Sequence, residues 1–205
     1  MARDYIKNPA EIYRQSFATI EAEAELSRLP VSLRAVARRM IHACGMTDLV
    51  ADIAWSGDPV EAAQAALRRR APIFCDAQMV ASGIIRDRLH GNEIICSIGE
   101  PKVATLAGEL TTTRSAAQVE SWKSRLAGGV VAIGNAPTAL YHLLDLIEAD
   151  GPWPAAIFAF PVGFVGALES KEELIAADLG VPYLTLRGRR GGSAIAAAAI
   201  NALAD

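Results

Sequence analysis

The chain lacks any long hydrophobic run. Its most apolar stretch, AAIFAFPVGFVGAL from Ala155, is broken by Pro161 and two glycines and falls short of the roughly 18 residues that a membrane span needs. The opening MARDYIKNPAEIYR is polar and charged, with no apolar core of the kind a signal peptide carries, so neither export nor membrane insertion is expected. Cysteine is scarce and odd in number: Cys44, Cys75 and Cys96 include no C-x-x-C pair, which speaks against a disulfide framework and a zinc site and for a reducing cytoplasm. An excess of positive charge is also missing. With 20 Lys and Arg against 23 Asp and Glu, the net charge of −3 does not suit a general binder of nucleic acid. There is no G-x-G-x-x-G, no G-x-x-x-x-G-K-[ST] and no G-x-S-x-G, which removes the fingerprints of dinucleotide binding, nucleoside triphosphate binding and the serine-hydrolase turn. No internal repeat, low-complexity linker or charge run marks a second domain, so residues 1–205 read as one domain.

What the chain does have is 52% hydrophobic residues in a length of 205, enough for a large core. Residues 1–70 read as mainly helical. PAEIYRQSFATIEAEAEL spaces Ile12, Phe17, Ile20 and Leu26 at helical intervals after Pro9. VSLRAVARRMIHACG starts a second helix with Ser32 as candidate cap, buries Leu33, Val36, Ala37, Met40 and Ile41, and stops at Gly45. DPVEAAQAALRRR is a third, capped by Asp58, with Pro59 at its first position. From residue 71 short apolar runs alternate with helical stretches: PIFC (72–75), EIICSI (93–98), VVAIG (130–134), AAIFAF (155–160) and PYLTL (182–186). Their nearly continuous apolar character is that of strands covered on both faces. The fold class is therefore α/β, a mostly parallel sheet of about five strands flanked by helices, with an N-terminal helical segment.

In such sheets ligands bind beyond the carboxyl ends of the strands. The segments there are GNAPTAL after the third run, PVGFVGALESKEEL after the fourth and RGRRGGSA after the fifth. Gly134 offers close backbone approach, Asn135 an amide, and the helix opening at Pro137 and Thr138 a set of free N–H groups facing an anion. Ser170, Lys171, Arg187, Arg189 and Arg190 lie in the other turns, Arg114 in TTTRSAAQ, and Arg86 and Arg88 in SGIIRDRL. Together these lean toward a large anionic ligand. Of the three histidines, His142 falls beside the apolar stripe of its helix and His90 sits in a turn; none stands at metal-ligand spacing, and no metal site is expected. His42 ends the second helix, where the dipole favours imidazolium by roughly 0.3–1 kcal/mol. A packed histidine and a general acid both remain open for it at this point. Cys44, at the helix end that disfavours a thiolate and without a base, reads as packing.

YIKNPAEIYRQSFATIEAEAEL, RRMIHACG, APIFCDAQMVASGI, TTTRSAA, VVAIGNAPTAL, PVGFVGALESKEEL and RGRRGGSAIAAAAINAL, in this order from about residue 5 onward, resemble the precorrin-8X methylmutase family of cobalamin biosynthesis. The resemblance implies an isomerase that moves the ring-C methyl group of precorrin-8X from C-11 to C-12, giving hydrogenobyrinic acid, without a cofactor. It places the catalytic histidine at His42 and substrate contacts at Ser16 and Arg39. Met79, Arg86 and Arg114, with Asn135, Ala136 and Thr138 of the GNAPT segment, are expected to line the pocket. A homodimer is implied, and transient hand-over of product to other pathway enzymes is left open. Two other readings remain. One is a cobalt-precorrin-8 methylmutase of the anaerobic route, against which HACG after the helix leans, since hydroxyl residues are expected there on the cobalt side. The other is a corrinoid-binding carrier without turnover.

Overall fold

A computed structural model describes residues 3–149 and 151–204. Helix α1 spans Pro9–Glu23; the Asn8 side chain accepts the N–H groups of Ala10 and Glu11, and Pro9 fills the position that needs no donor. Of its expected stripe Ile20 is buried, but Ile12 is 46% exposed: α1 lies on the surface and buries one narrow edge. After a single 3-10 turn at Leu26–Arg28, α2 runs Val31–Cys44. Its cap position is Pro30, not Ser32, which sits inside the first turn; the fixed φ of Pro30, −50°, sets the entry instead of a side-chain bond. The expected stripe of Leu33, Val36, Ala37, Met40 and Ile41 is buried throughout, and Gly45 ends the helix in the left-handed region at φ 71° with its N–H on the Ile41 carbonyl.

A 3-10 segment, Thr47–Asp52, leads into strand β1, Ile53–Ser56. Helix α3, Pro59–Arg68, is capped by Asp58 as expected, the carboxylate accepting the Glu61 N–H at 3.0 Å. Then follow β2 (Ile73–Cys75), α4 (Gln78–Gly83), β3 (Ile94–Ile95), α5 (Pro101–Glu109), α6 (Arg114–Trp122), β4 (Val130–Ile133), α7 (Pro137–Glu148), β5 (Ala156–Ala159), α8 (Ala167–Ala176), β6 (Tyr183–Leu186) and α9 (Ser193–Ala202).

The sheet has six strands in the order β1-β6-β5-β4-β2-β3. The five expected runs form its parallel part. The sixth, β1, pairs antiparallel with β6 and lies in the stretch read as helical; two of its four residues are exposed, so it has no buried run to announce it. Alternate residues of the strands feed two cores. Ile73, Cys75, Val130, Ala132, Phe158 and Leu184 face α2, α3, α4 and α9. Phe74, Val131, Ile133, Ile157 and Ala159 face α6, α7 and α8. Each valine, isoleucine, leucine or phenylalanine among them, withdrawn wholly from water, contributes roughly 1.5–3 kcal/mol, which is why nearly all-apolar strands end up covered on both sides. Helix α2 packs along α9, so the residues that end at His42 are seated against the last helix of the chain.

Candidate active site

Counted from β2, the parallel strands run 2-1-3-4-5: the chain steps from β2 outward to β3, then crosses back to β4 and continues the other way. The direction reverses between β2 and β4, and the crevice beyond the carboxyl ends of that pair is the ligand position of an open α/β sheet. Asp76 follows β2 there, and Gly134, Asn135 and Ala136 follow β4.

Asp76 is fully buried. Its carboxylate accepts the N–H of Gly134 at 2.8 Å, of Asn135 at 2.9 Å and of Ala136 at 2.7 Å. Its own carbonyl accepts the Gln118 side-chain amide at 2.7 Å. Burial raises the Asp76 carboxyl above the ordinary carboxylate range, while the three N–H bonds pull in the other direction. The N–H groups of the loop that leads into α7 are thus spent on the protein's own anion, while α7 itself, from Pro137, receives no side-chain cap. Gly134 is likewise required by packing and not by a ligand, since a Cβ there would lie 2.8 Å from the Ser193 Cα and 2.8 Å from Val80 Cγ2. Asp76 was missed in the sequence; its signal is a lone charge directly after a wholly apolar strand.

Asn135 is exposed, whereas Ala136 is buried with its N–H spent on Asp76. The Thr138 hydroxyl lies 2.8 Å from that of Thr113, which caps α6 by accepting the Ala116 N–H. Arg114, exposed at the first position of α6, thereby stands beside the start of α7, so the structure brings Arg114, Asn135 and Thr138 to one end of the sheet.

Ser16, Arg39 and His42 form a second group. His42 is half-buried in the last turn of α2, and its Nδ1 lies 2.8 Å from Ser16 Oγ of α1. The Tyr13 ring sits 5.2 Å away at 32°, and the Phe17 ring meets the imidazole edge-on at 5.4 Å. Tyr13, Ser16 and Phe17 recur at three and four residues, which puts them on one face of α1 and explains why they reach the same imidazole. The Arg39 guanidinium lies 5.9 Å from the Phe17 ring centre. His42 borders two depressions. One, about 260 Å³, includes Ser16, Thr19, Glu23 and Thr47. The other, about 270 Å³, includes Tyr13, Arg39, Gly83, Ile85 and the α9 residues Ala194, Ala198 and Asn201.

Helix α4 and the turn after it connect the two groups. Asn201 accepts the Ile85 N–H at 2.8 Å and donates to the Gly83 carbonyl at 2.9 Å, while Val80 lies against Gly134. Met79, 65% exposed, is on this helix, and Arg86 is exposed in the turn that follows.

Several ionisable groups outside these clusters are engaged within the protein. Arg187 pairs with Glu172 at 2.7 Å, and Arg190 with Asp48 at 2.9 Å and Asp52 at 2.6 Å. Lys171, fully buried on α8, donates to the Arg190 carbonyl at 2.7 Å, and burial lowers its ammonium to about 8. Ser170 is buried on the same helix, and Arg189 lies over the Phe164 ring at 5.3 Å. The cation-rich turn after β6 is thus a structural tie in large part. His142 holds Glu120 at 3.1 Å. Burial pushes the Cys44 thiol up, and its Sγ donates to the Ile41 carbonyl at 3.7 Å, in keeping with a packing role. Among the described residues no three His, Cys, Asp or Glu side chains gather into a metal-holding group, and no helix is long and apolar enough to cross a membrane.

The profile of the family described as precorrin-8X methylmutase matches residues 11–205. A precorrin-8X methylmutase of Pseudomonas aeruginosa is 56% identical over 202 residues, covering 98% of this chain and 97% of the relative. A cobalt-precorrin-8 methylmutase of Priestia megaterium is 36% identical over 197 residues, covering 95% of this chain and 87% of the relative. The crystal structure of precorrin-8X methylmutase from Thermus thermophilus superposes with a TM-score of 0.86 at 37% identity, covering 95% of this chain and 94% of that one. The fold, the order of the motifs and the extent of these matches agree, and the chain belongs to the precorrin-8X methylmutase family.

Proposed function

We propose that the protein is an isomerase that converts metal-free precorrin-8X to hydrogenobyrinic acid by moving the ring-C methyl group from C-11 to C-12. The observation that carries the reading is the setting of His42: an imidazole at a helix end, held through Nδ1 by Ser16 and flanked by two rings, on the border of two depressions. With Nδ1 engaged, proton exchange with a ligand falls to Nε2. The Ser16 hydroxyl serves both protonation states, donating to Nδ1 when the ring is neutral and accepting from it when the ring is cationic. A 1,5-shift of methyl needs no redox partner and no covalent intermediate; it needs the macrocycle held in one shape and electron density drawn toward ring C. Protonation of a neighbouring pyrroline nitrogen by His42 does the second and is typically worth about 10²–10⁴ in rate. Orientation by the surrounding contacts does the first.

Arg39 and Ser16 beside His42, Met79 and Arg86 on and after α4, and Arg114, Asn135, Ala136 and Thr138 at the strand ends are the proposed substrate contacts, with Ala136 contributing through its backbone position alone. The metal-free substrate is favoured over the cobalt complex because the relative named for the former is 56% identical and the one named for the latter 36%. We take the helical first third and the alternating remainder as one domain, the protein as cytoplasmic and dimeric, and its product as a candidate for direct hand-over.

The test is the visible spectrum of precorrin-8X over time with the parent protein and with His42→Ala. The parent should generate the orange corrin chromophore, and the variant should bind the product hydrogenobyrinic acid with little change while the rate falls at least about 100-fold. Equal rates in both would remove His42 from the chemistry. Binding by the parent without conversion would favour the cobalt substrate or a carrier.

A further inference from the structure

Three backbone N–H groups of the loop before α7 converge on one buried carboxylate that stands just past β2, 58 to 60 residues earlier in the chain. A loop that bound a substrate carboxylate through its backbone would keep those donors open. Here they are spent on Asp76. What the loop still offers is the exposed side chain of Asn135, which makes no hydrogen bond among the described residues. Two further features hold the loop in place: Gly134 is clamped against the Ser193 Cα and Val80, and Asp76 is itself fixed by Gln118 through its carbonyl.

We infer that Asp76 is a positioning residue, a built-in anion that locks Gly134–Ala136 so that the Asn135 amide, and not the loop's N–H groups, is the donor presented to a carboxylate arm of the ligand. The inference rests on the proposed function for the identity of the ligand. Asn at position 76 has the shape but not the chemistry. An amide has one acceptor oxygen where the carboxylate has two, and its NH₂ must face at least one of the three N–H donors, leaving donor against donor in a buried site. The loop must then shift, and Asn135 with it.

The experiment is a titration of hydrogenobyrinic acid into the parent, Asp76→Asn, Asn135→Ala, Asn135→Asp and the Asp76→Asn/Asn135→Ala pair, followed by absorbance, with steady-state rates and thermal midpoints for each. Asp76→Asn and Asn135→Ala should each raise the Kd and KM about tenfold, the worth of one hydrogen bond to a charged group, with kcat within about twofold. The pair should be no weaker than either single variant, because both remove the same contact. Asn135→Asp should bind more weakly than Asn135→Ala, since it sets a carboxylate against a carboxylate. A lowered midpoint with unchanged Kd in Asp76→Asn would reduce Asp76 to a structural cap and overturn the inference, as would additive losses in the pair. If Asp76→Asn does not fold, Asn135→Ala decides alone: an unchanged Kd overturns the inference. Absence of both binding and turnover in the parent would instead overturn the functional reading on which the inference stands.

Discussion

Replacing Ser16 by Ala removes one hydroxyl from the His42 setting and leaves its other two walls in place. The bond is 2.8 Å long, between half-buried partners, and Tyr13 and Phe17 remain at 5.2 and 5.4 Å from the ring. With a neutral imidazole the lost bond is worth about 0.5–1.5 kcal/mol, and with an imidazolium about 1.5–3 kcal/mol. The first figure bears on folding, so the variant should be less stable by about 1 kcal/mol, read from urea unfolding. The difference between the two bears on catalysis, because a proton donor must pass between the two states. That difference, about 1–1.5 kcal/mol, is a bias toward the ring that holds the proton; its loss leaves fewer rings able to donate, while each remaining donor gives up its proton more readily, so turnover should fall by at most about tenfold. Single-turnover conversion of precorrin-8X, followed by the corrin spectrum, measures it, and product affinity should hardly move. A change below twofold would show that Ser16 does not follow the proton. A loss above about 10³-fold would show that the hydroxyl itself does chemistry, and the division of labour given above would fall.

Two further outcomes follow from the packing. Gly134→Ala places a methyl group within 2.9 Å of Ala196 Cβ and 2.8 Å of the Ser193 backbone, which cannot swing aside as a long side chain would. It should destabilise by about 1–3 kcal/mol in urea or thermal unfolding, and a cost below about 0.5 kcal/mol would mean that α9 is not seated as tightly as described. Lys171 titrates near 8 when folded, below the ordinary lysine value of 10.5, because burial disfavours its charge. Between those values the unfolded chain binds the extra proton, so this residue's contribution to stability rises with pH from about 8 to 10.5. Lys171→Met should flatten that rise in unfolding experiments at pH 8 and pH 10, and an identical slope in parent and variant would show that the ammonium is well solvated.

Much of the fold is legible in the sequence because burial leaves a local mark. VVAI and AIFA are apolar at every position since helices cover both faces, and the stripe from Leu33 to Ile41 repeats at helical spacing since one side of α2 meets the core. Strand β1 leaves no such mark; it is four residues long, half exposed, and owes its conformation to β6, which comes about 130 residues later. The site divides in the same way. His42 at a helix end can be read from the glycine stop, but its bond to Ser16 joins positions 26 apart; the family resemblance points to Ser16 as a substrate contact and says nothing of that bond. The three bonds to Asp76 and the pairing of Arg190 with Asp48 and Asp52 are long-range contacts that no window of sequence contains. The loop donors before α7 and the Arg190 guanidinium are taken by the chain's own partners for reasons that local sequence does not carry.

The packing of α2 along α9 also has a consequence in time. During synthesis the histidine precedes the wall opposite it, Ala194 to Asn201, by about 150 residues. Pairing ends that lie so far apart in the chain carries a loop-closure cost that is repaid only when both are present. Until then the buried face of α2, with Met40 and Ile41, lacks its most extensive cover, having only α1, α3 and the 3-10 segments against it, and is open to chaperones and to aggregation. The nascent chain therefore carries His42 without the α9 wall until that helix is made, and removal of α9 should cost the packing of α2 as well as the depression beside His42.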